Sequence, residues 1–408
     1  MTHLRRAALV LVILSARPAT GAAQDDSLFT LDRALAMARE HSPAILASRA
    51  RIEEARGRLA SASVRMRGNP VLDGGVGTRR VNDEDFLELD VGITQGLGAP
   101  GRRAARIEAA QSALSGVIAS SEDVLVRHLR DVADTFVQGL CIIERIRLLD
   151  EFSQVAEETA RVAERRFQAG DVAALDVGVT KASVARARSE VLSAQAELQA
   201  VLGELSILLG MESEGPVTLH GNLADLPVHD LSDLLERAEQ RPDVRALSAE
   251  MQQADAEARM GRTLRQPELD VGLRYELEEE ADIYKGTFII GLPVFDRGVG
   301  VAAEADARAE RLRIERDGLM RSVRTEVRSA HDAYRLRRDA VAAVQAVVPT
   351  LEESEVLAAR SYETGQMSLI DLLLVRRGVL ETRIALLDRR LEAAVSAFRL
   401  QAIAGVLP

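Results

Sequence analysis

The stretches Phe167–Val179, FQAGDVAALDVGV, and Tyr362–Leu374, YETGQMSLIDLLL, share one frame. Each opens on an aromatic, carries Gly three residues on, and places Asp six residues after that glycine. Both interrupt long helical patterns, so one chain makes the same reversal twice. At the offset of 195 that pairs Gly170 with Gly365, Asp176 pairs with Asp371, Arg188 with Arg383, Glu197 with Glu392, Leu205 with Leu400 and Gly210 with Gly405. Upstream, NPVLDGGV from Asn69 matches QPELDVGL from Gln266 at an offset of 197, and Pro43 pairs with Pro242 at 199. Ordered agreement in three places marks an internal duplication.

Each copy predicts the same succession. A short helix (31–41, and 231–240) is followed by a second (43–67, and 243–265) that runs to the next proline. Two strands come next, at 70–78 with 86–95 and at 267–278 with 284–294. A long helix, the glycine turn (168–176, and 363–371) and a last long helix complete the copy. No proline occurs between Gly101 and Gly215, and Leu129, Val132, Phe136, Leu140 and Ile143 recur at spacings of three and four. A helix from Arg102 to Gln168 extends roughly 100 Å at 1.5 Å per residue, more than a globular domain needs. Pro349 falls inside the matching helix of the second copy, where a bend or an opened turn is expected. The repeats span 24–215 and 231–408, with 216–230 as linker.

The first residues read as a processing signal. Arg5 and Arg6 precede the apolar run AALVLVILSA, and small residues follow up to a cleavage site after Ala23. Removing 1–23 takes away three arginines and moves the formal charge from −11 to −14. The mature chain is therefore expected outside the cytoplasm. Cys141 is the only cysteine, which excludes an intrachain disulfide, and its apolar neighbours point to buried packing. No cysteine adjoins the cleavage site, so no lipid anchor is expected. Beyond the signal no run of about 18 apolar residues remains for a membrane-spanning helix.

Strands remain as a route into a membrane. ELDVGLRYELE (Glu268–Glu278) sets Leu269, Val271, Leu273, Tyr275 and Leu277 against Glu268, Asp270, Arg274, Glu276 and Glu278. FLELDVGIT (Phe86–Thr94) alternates likewise. A half-buried strand of a soluble sandwich shows the same period. Counting separates the two: four strands cannot close a barrel, open edges do not survive in lipid, and three copies supply twelve. The expected fold is thus mainly α with a small β part, a trimeric twelve-stranded barrel joined to long coiled-coil helices. RRVNDED (Arg79–Asp85) and EEEAD (Glu278–Asp282) read as its outer loops, and Gly98, Pro100, Gly101, Pro293 and Gly298 as the strand-to-helix turns.

Other chemistry finds no foothold. The six histidines are scattered; His220 and His229, nine apart, read as a polar loop or, less simply, a metal site. There is no phosphate-binding glycine loop and no nucleophile elbow, so no enzyme and no cofactor is expected. An acidic chain without basic–aromatic patches is a poor nucleic-acid binder.

Over residues 31–405 the chain resembles the TolC family of outer-membrane efflux channels. The resemblance rests on the duplicated plan, the paired turns, and GLGAPGRRAARIEAA and GLPVFDRGVG at the strand exits. The first of these exits is most similar to the cation-efflux branch. The resemblance implies a homotrimer in the outer-membrane lipid of a Gram-negative bacterium, its barrel continued into the periplasm by a long α-helical coiled-coil tunnel. There it acts as the exit duct for substrates (metal cations, drugs or other small molecules) passed on by a periplasmic adaptor (membrane fusion protein) from an inner-membrane pump, RND in type. It further implies that Phe167, Gly170, Tyr362, Gly365 and Gln366 form the periplasmic tip where the adaptor docks. Asp371, and after it Asp176, would form an acidic gate ring; capping of the returning helices is the alternative, and weighs more for Asp176 than for Asp371. Leu374 stands where some members carry a second acid, so the ring would be single. A periplasmic coiled-coil scaffold and the outer-membrane component of type I protein secretion are the alternatives.

Overall fold

The computed structural model describes residues 29–66, 68–211, 218–224, 226–278 and 281–406, so the expected signal at 1–23 lies outside the described residues. Twelve elements run in two matching series. The first is α1 (Leu31–His41), α2 (Pro43–Ser63), β1 (Val71–Val81), β2 (Glu84–Gly96), α3 (Arg102–Gln168) and α4 (Ala174–Leu209). The second is α5 (Leu231–Ala238), α6 (Pro242–Thr263), β3 (Glu268–Glu278), β4 (Ala281–Gly291), α7 (Val299–Glu363) and α8 (Leu369–Ile403). Pro43 and Pro242 each occupy the first helical position, where a missing N–H costs nothing. The copies also share a contact: the Arg188 guanidinium donates to Glu157 (2.8 Å), 31 residues away, and Arg383 donates to Glu352 (2.7 Å), again 31 away.

The strands form one antiparallel sheet in the order β1-β2-β3-β4. They run longer than expected, because the turn between β1 and β2 has only two residues. Asn82 and Asp83 both adopt positive φ (52° and 68°), the conformation of a type I′ hairpin, whose twist matches that of the strands. The expected seven-residue loop Arg79–Asp85 is therefore mostly strand. β3 likewise continues through Glu278 and β4 begins at Ala281, earlier than the expected 284; residues 279 and 280 lie outside the described residues.

Register separates two faces. Leu273 opposes Ile93 and Gly286, Val271 opposes Phe288, and Tyr275 opposes both Val91 and Tyr284. This face is apolar and open, with Leu72, Val76 and Phe288 each 73% exposed and Leu273 70%. The other face is charged and internally paired: Arg274 reaches Asp90 (3.0 Å) and Asp73, and Lys285 meets Glu276. Apolar outside, wet inside and two unpaired edges are the ingredients of a barrel completed by further copies. Three copies give twelve strands.

The helices form a wall one layer thick. α3 packs between α2 and α6 near the sheet and between α4 and α8 farther away, while α7 packs on α6 and then α8. The staves thus run α2/α4, α3, α6/α8, α7, with the first and last left as free edges for neighbouring copies. Helix α7 carries its helical backbone through Pro349 without the expected opened turn. Near mid-length, α1, α5 and the linker wrap one side of the wall. Phe29 stacks on Phe136 with ring centroids 6.4 Å apart, and Phe29 pairs with Leu219. Beneath them, Leu129, Val132, Phe136 and Leu205 anchor the largest core cluster. No described helix is long and apolar enough to cross a membrane.

Candidate functional site

The two turns stand side by side at one end of the wall. In the first, α3 ends at Gln168, Gly170 takes φ 84°, and the Asp171 N–H donates to the Arg166 carbonyl (2.8 Å). In the second, Gly365 takes φ 75° and the Gln366 N–H donates to the Ser361 carbonyl (2.8 Å). Both are left-handed C-terminal caps, which is why glycine recurs. The aromatics differ in role. Tyr362 is buried among Ala358, Leu369 and Leu372, whereas Phe167 is exposed. The Arg166 guanidinium lies 5.3 Å from the Tyr362 ring centroid and so joins the first hairpin to the second. Gln366 is exposed.

Both acids sit at the third position of a returning helix and take part in its cap. The Ala173 N–H donates to Asp176 Oδ2 (3.2 Å). At the second turn the Asp371 N–H donates to Ser368 Oγ (3.2 Å), and the Ser368 hydroxyl donates to Asp371 Oδ2 (2.6 Å). Among the described residues neither carboxylate has a basic partner, and Asp371 remains exposed.

Above the tip lies a feature that the sequence does not announce. Arg376 of α8, 17% exposed, donates to Thr159 Oγ1 of α3 (2.7 Å) and lies 3.9 Å from Glu355 of α7. Burial lowers its guanidinium pKa, opposed by Glu355 and Glu363. Arg377 extends the ties to Glu190 of α4 (3.5 Å). VRRG gives no local pattern that distinguishes these arginines from surface ones. Equally silent is Asp134 on α3, whose pKa burial pushes up to about 6 against the pull of Arg130. Its Oδ1 is buried without a hydrogen-bond partner. A carboxylic acid with a raised folded-state pKa stabilises the fold while protonated, and loses that contribution as pH rises from the unfolded value through the folded one. Asp134→Asn should therefore stabilise the assembly at pH 8 by about 1–3 kcal/mol at 1.36 kcal/mol per unit, read as a higher heat-dissociation midpoint, and much less at pH 5. An equal gain at both pH values would contradict it.

The strand-to-helix turns use glycine in two ways. Gly98 and Gly101 (φ 68° and 77°) flank Pro100 with nothing within 4 Å of an added Cβ, as at Gly365. Gly298 (φ 68°) caps α7 where a Cβ would collide with the Gly261 carbonyl, and its N–H donates to Asp296 Oδ1 (2.8 Å). Gly298→Ala should thus destabilise by about 3 kcal/mol or more, strain plus displaced backbone, and Gly365→Ala by about 1–2. Heat-dissociation midpoints of the two variants would rank them. Pro293 lies in the irregular stretch after β4, beside a wholly exposed Phe295 placed as an interfacial aromatic would be.

His220 and His229 do not converge. The His220 N–H donates to the Phe29 carbonyl (2.9 Å), while His229 packs on Tyr334 with ring centroids 6.0 Å apart. Among the described residues no group of three or more His, Cys, Asp or Glu is arranged to hold a metal ion. Cys141 is buried, and burial pushes its thiol up to about 11.

Comparison with known proteins matches this geometry. The outer membrane efflux protein family matches residues 34–211 and again 234–406, one match to each copy. The cobalt-zinc-cadmium resistance protein CzcC of Cupriavidus metallidurans is 27% identical over 87% of this chain and 85% of its own. The pyoverdine export outer membrane protein OpmQ of Pseudomonas putida is 25% identical over 86% and 81%. Among solved structures, CusC superposes with a TM-score of 0.76 at 18% identity, covering 92% of both chains. The outer-membrane channel OprN gives 0.75 at 18%, over 92% and 89%. The chain belongs to the outer membrane efflux protein family: a homotrimeric outer-membrane channel that reaches into the periplasm and works with an adaptor and an inner-membrane pump.

Proposed function

We propose that the trimer is the exit duct of a metal-cation efflux system, fed by an RND-type pump through an adaptor that docks on the two tip turns. The observation that carries this reading is the exposed, unpaired carboxylate of Asp371 beside the second glycine turn. Three copies would set three such carboxylates around one mouth, with Asp176 contributing from the first turn. Rings of acid favour cations. The cobalt-zinc-cadmium resistance protein among the relatives supports the same substrate class. Gln366, Gly365 and Gly170, with Phe167 exposed beside them, offer the docking surface, while Tyr362 holds the second turn in shape from within.

The test has two arms. A photo-crosslinking residue at Gln366 in native cells should capture a periplasmic adaptor, and that adaptor's pump should be of the RND class. Asp371→Asn in planar bilayers should lower cation preference. Capture of nothing periplasmic would sink the docking assignment, and unchanged selectivity would leave Asp371 a helix cap.

A further inference from the structure

Midway along the wall, far from both tip turns, α3, α7 and α8 border a groove of about 850 Å³. Four arginines line it, Arg130 from α3, Arg321 and Arg337 from α7 and Arg399 from α8, against one carboxylate, Glu326. The groove therefore carries an excess of three positive charges per chain. Their partners differ. Arg130 is paired with Asp131 and lies 3.9 Å from Asp134, and Arg337 donates to Ser396 Oγ (3.0 Å). Among the described residues no carboxylate lies within ion-pair distance of Arg321 or Arg399. Glu326 is itself engaged, accepting from the Ser322 hydroxyl (2.8 Å).

The groove opens on a definite side. On α7, His331 meets the His229 carbonyl and the Tyr334 hydroxyl donates to the Pro227 carbonyl, so the linker covers that flank. On α8, Gln401 faces His229. At 100° per residue Arg399 falls about 160° from Gln401 on α8, and on α7 the groove residues Ser322, Ser329 and Ala333 fall about 160–200° from His331, with Arg337 at the edge of the groove nearer Tyr334. A wall one helix thick has only two sides. The girdle of α1, α5 and the linker would plug the conduit if it lay within, so it lies outside and the arginines lie inside.

We propose that these arginines form a basic belt in the tunnel lumen, a site that gathers small anions bearing carboxylate or phosphate oxygens. Guanidinium forks suit both groups, and a walled, low-dielectric passage strengthens the attraction. Arg337 precedes Gly365 by 28 residues, so the belt sits roughly 40 Å above the tip at 1.5 Å per residue. A cation crossing it travels with its counter-anions or inside an anionic complex. The proposal rests on the conduit reading and is independent of any acid ring at the mouth.

Its test uses the quiet background that buried Cys141 provides. Ser329, exposed and lining the groove, is replaced in the full-length trimer by cysteine (Ser329→Cys). Single trimers in planar bilayers are then treated with anionic and cationic methanethiosulfonates of similar size. The expected result is a stepwise change of conductance on labelling, with the anionic reagent reacting about tenfold faster or more. Adding Arg337→Gln and Arg399→Gln should bring that ratio towards one. Labelling without a conductance change would place the groove outside the lumen and overturn the belt, as would equal rates. An unlabelled thiol would mean that a neighbouring copy covers the groove, which overturns the belt as well. Trimers that never conduct would instead sink the conduit itself.

Discussion

Leu273→Arg should abolish assembly of the trimer in membranes, while Ile289→Arg should leave it intact, although both place an arginine on a hydrophobic strand position. Leu273 is the middle residue of β3, on the apolar face and 70% exposed. An arginine at the midplane of a lipid-facing strand costs roughly 2–4 kcal/mol, hence about 6–12 for three copies. Ile289 lies on the neighbouring strand but on the charged face, directly across from Asp270. A new guanidinium there enters a wet lumen and gains a carboxylate partner. Heat-modifiable trimer bands from isolated outer membranes would decide: equal assembly of both variants contradicts the barrel, and equal loss contradicts the assignment of faces.

The alternation that motivates this experiment was legible because strand periodicity repeats over ten residues and each residue contributes. Helix α3 was legible from Arg102 to Gln168 for the same reason, since long periodic segments average out local noise. Strand ends were not. Whether Asn82–Asp83 closes a two-residue turn or sits in a longer loop depends on the pairing of Arg80 with Asp85 and Val81 with Glu84, which is settled by the sheet. Pro349 opens no turn in α7. A proline penalises one backbone hydrogen bond, and 65 residues of helix packed on α6 and α8 outweigh it. The tip was half legible. Glycine, aromatic and acid were all visible in the repeat, but both aromatics carried the same expectation, and only packing separates buried Tyr362 from exposed Phe167. The arginines above the tip were invisible, because an interhelical contact leaves no spacing in one chain.

Those arginines set the second large effect. Arg376→Leu should increase the conductance and open probability of the channel. Its guanidinium ties three staves just above the turns: Thr159 on α3, Glu355 on α7 and its own α8. Thr159 keeps a partner when the arginine goes, because its hydroxyl donates to the Val155 carbonyl (2.7 Å). Glu355 is 30% exposed and can hydrate. The substitution therefore removes a tie without leaving a buried orphan, so the loss falls on the arrangement of the helices rather than on folding. One charge-assisted hydrogen bond contributes about 1.5–3 kcal/mol, which at 1.4 kcal/mol per decade shifts a closed–open equilibrium by roughly 10- to 100-fold in each chain. Where spreading of the tip separates α8 from α3 at this height, that shift favours the wider state. Arg376→Lys, which keeps the charge but not the reach and fork of the guanidinium, should fall between the two. Single-channel recordings provide the measurement. A conductance distribution in Arg376→Leu that matches the unaltered trimer would show that the tip is held by its buried cluster around Tyr362 and Leu372 instead.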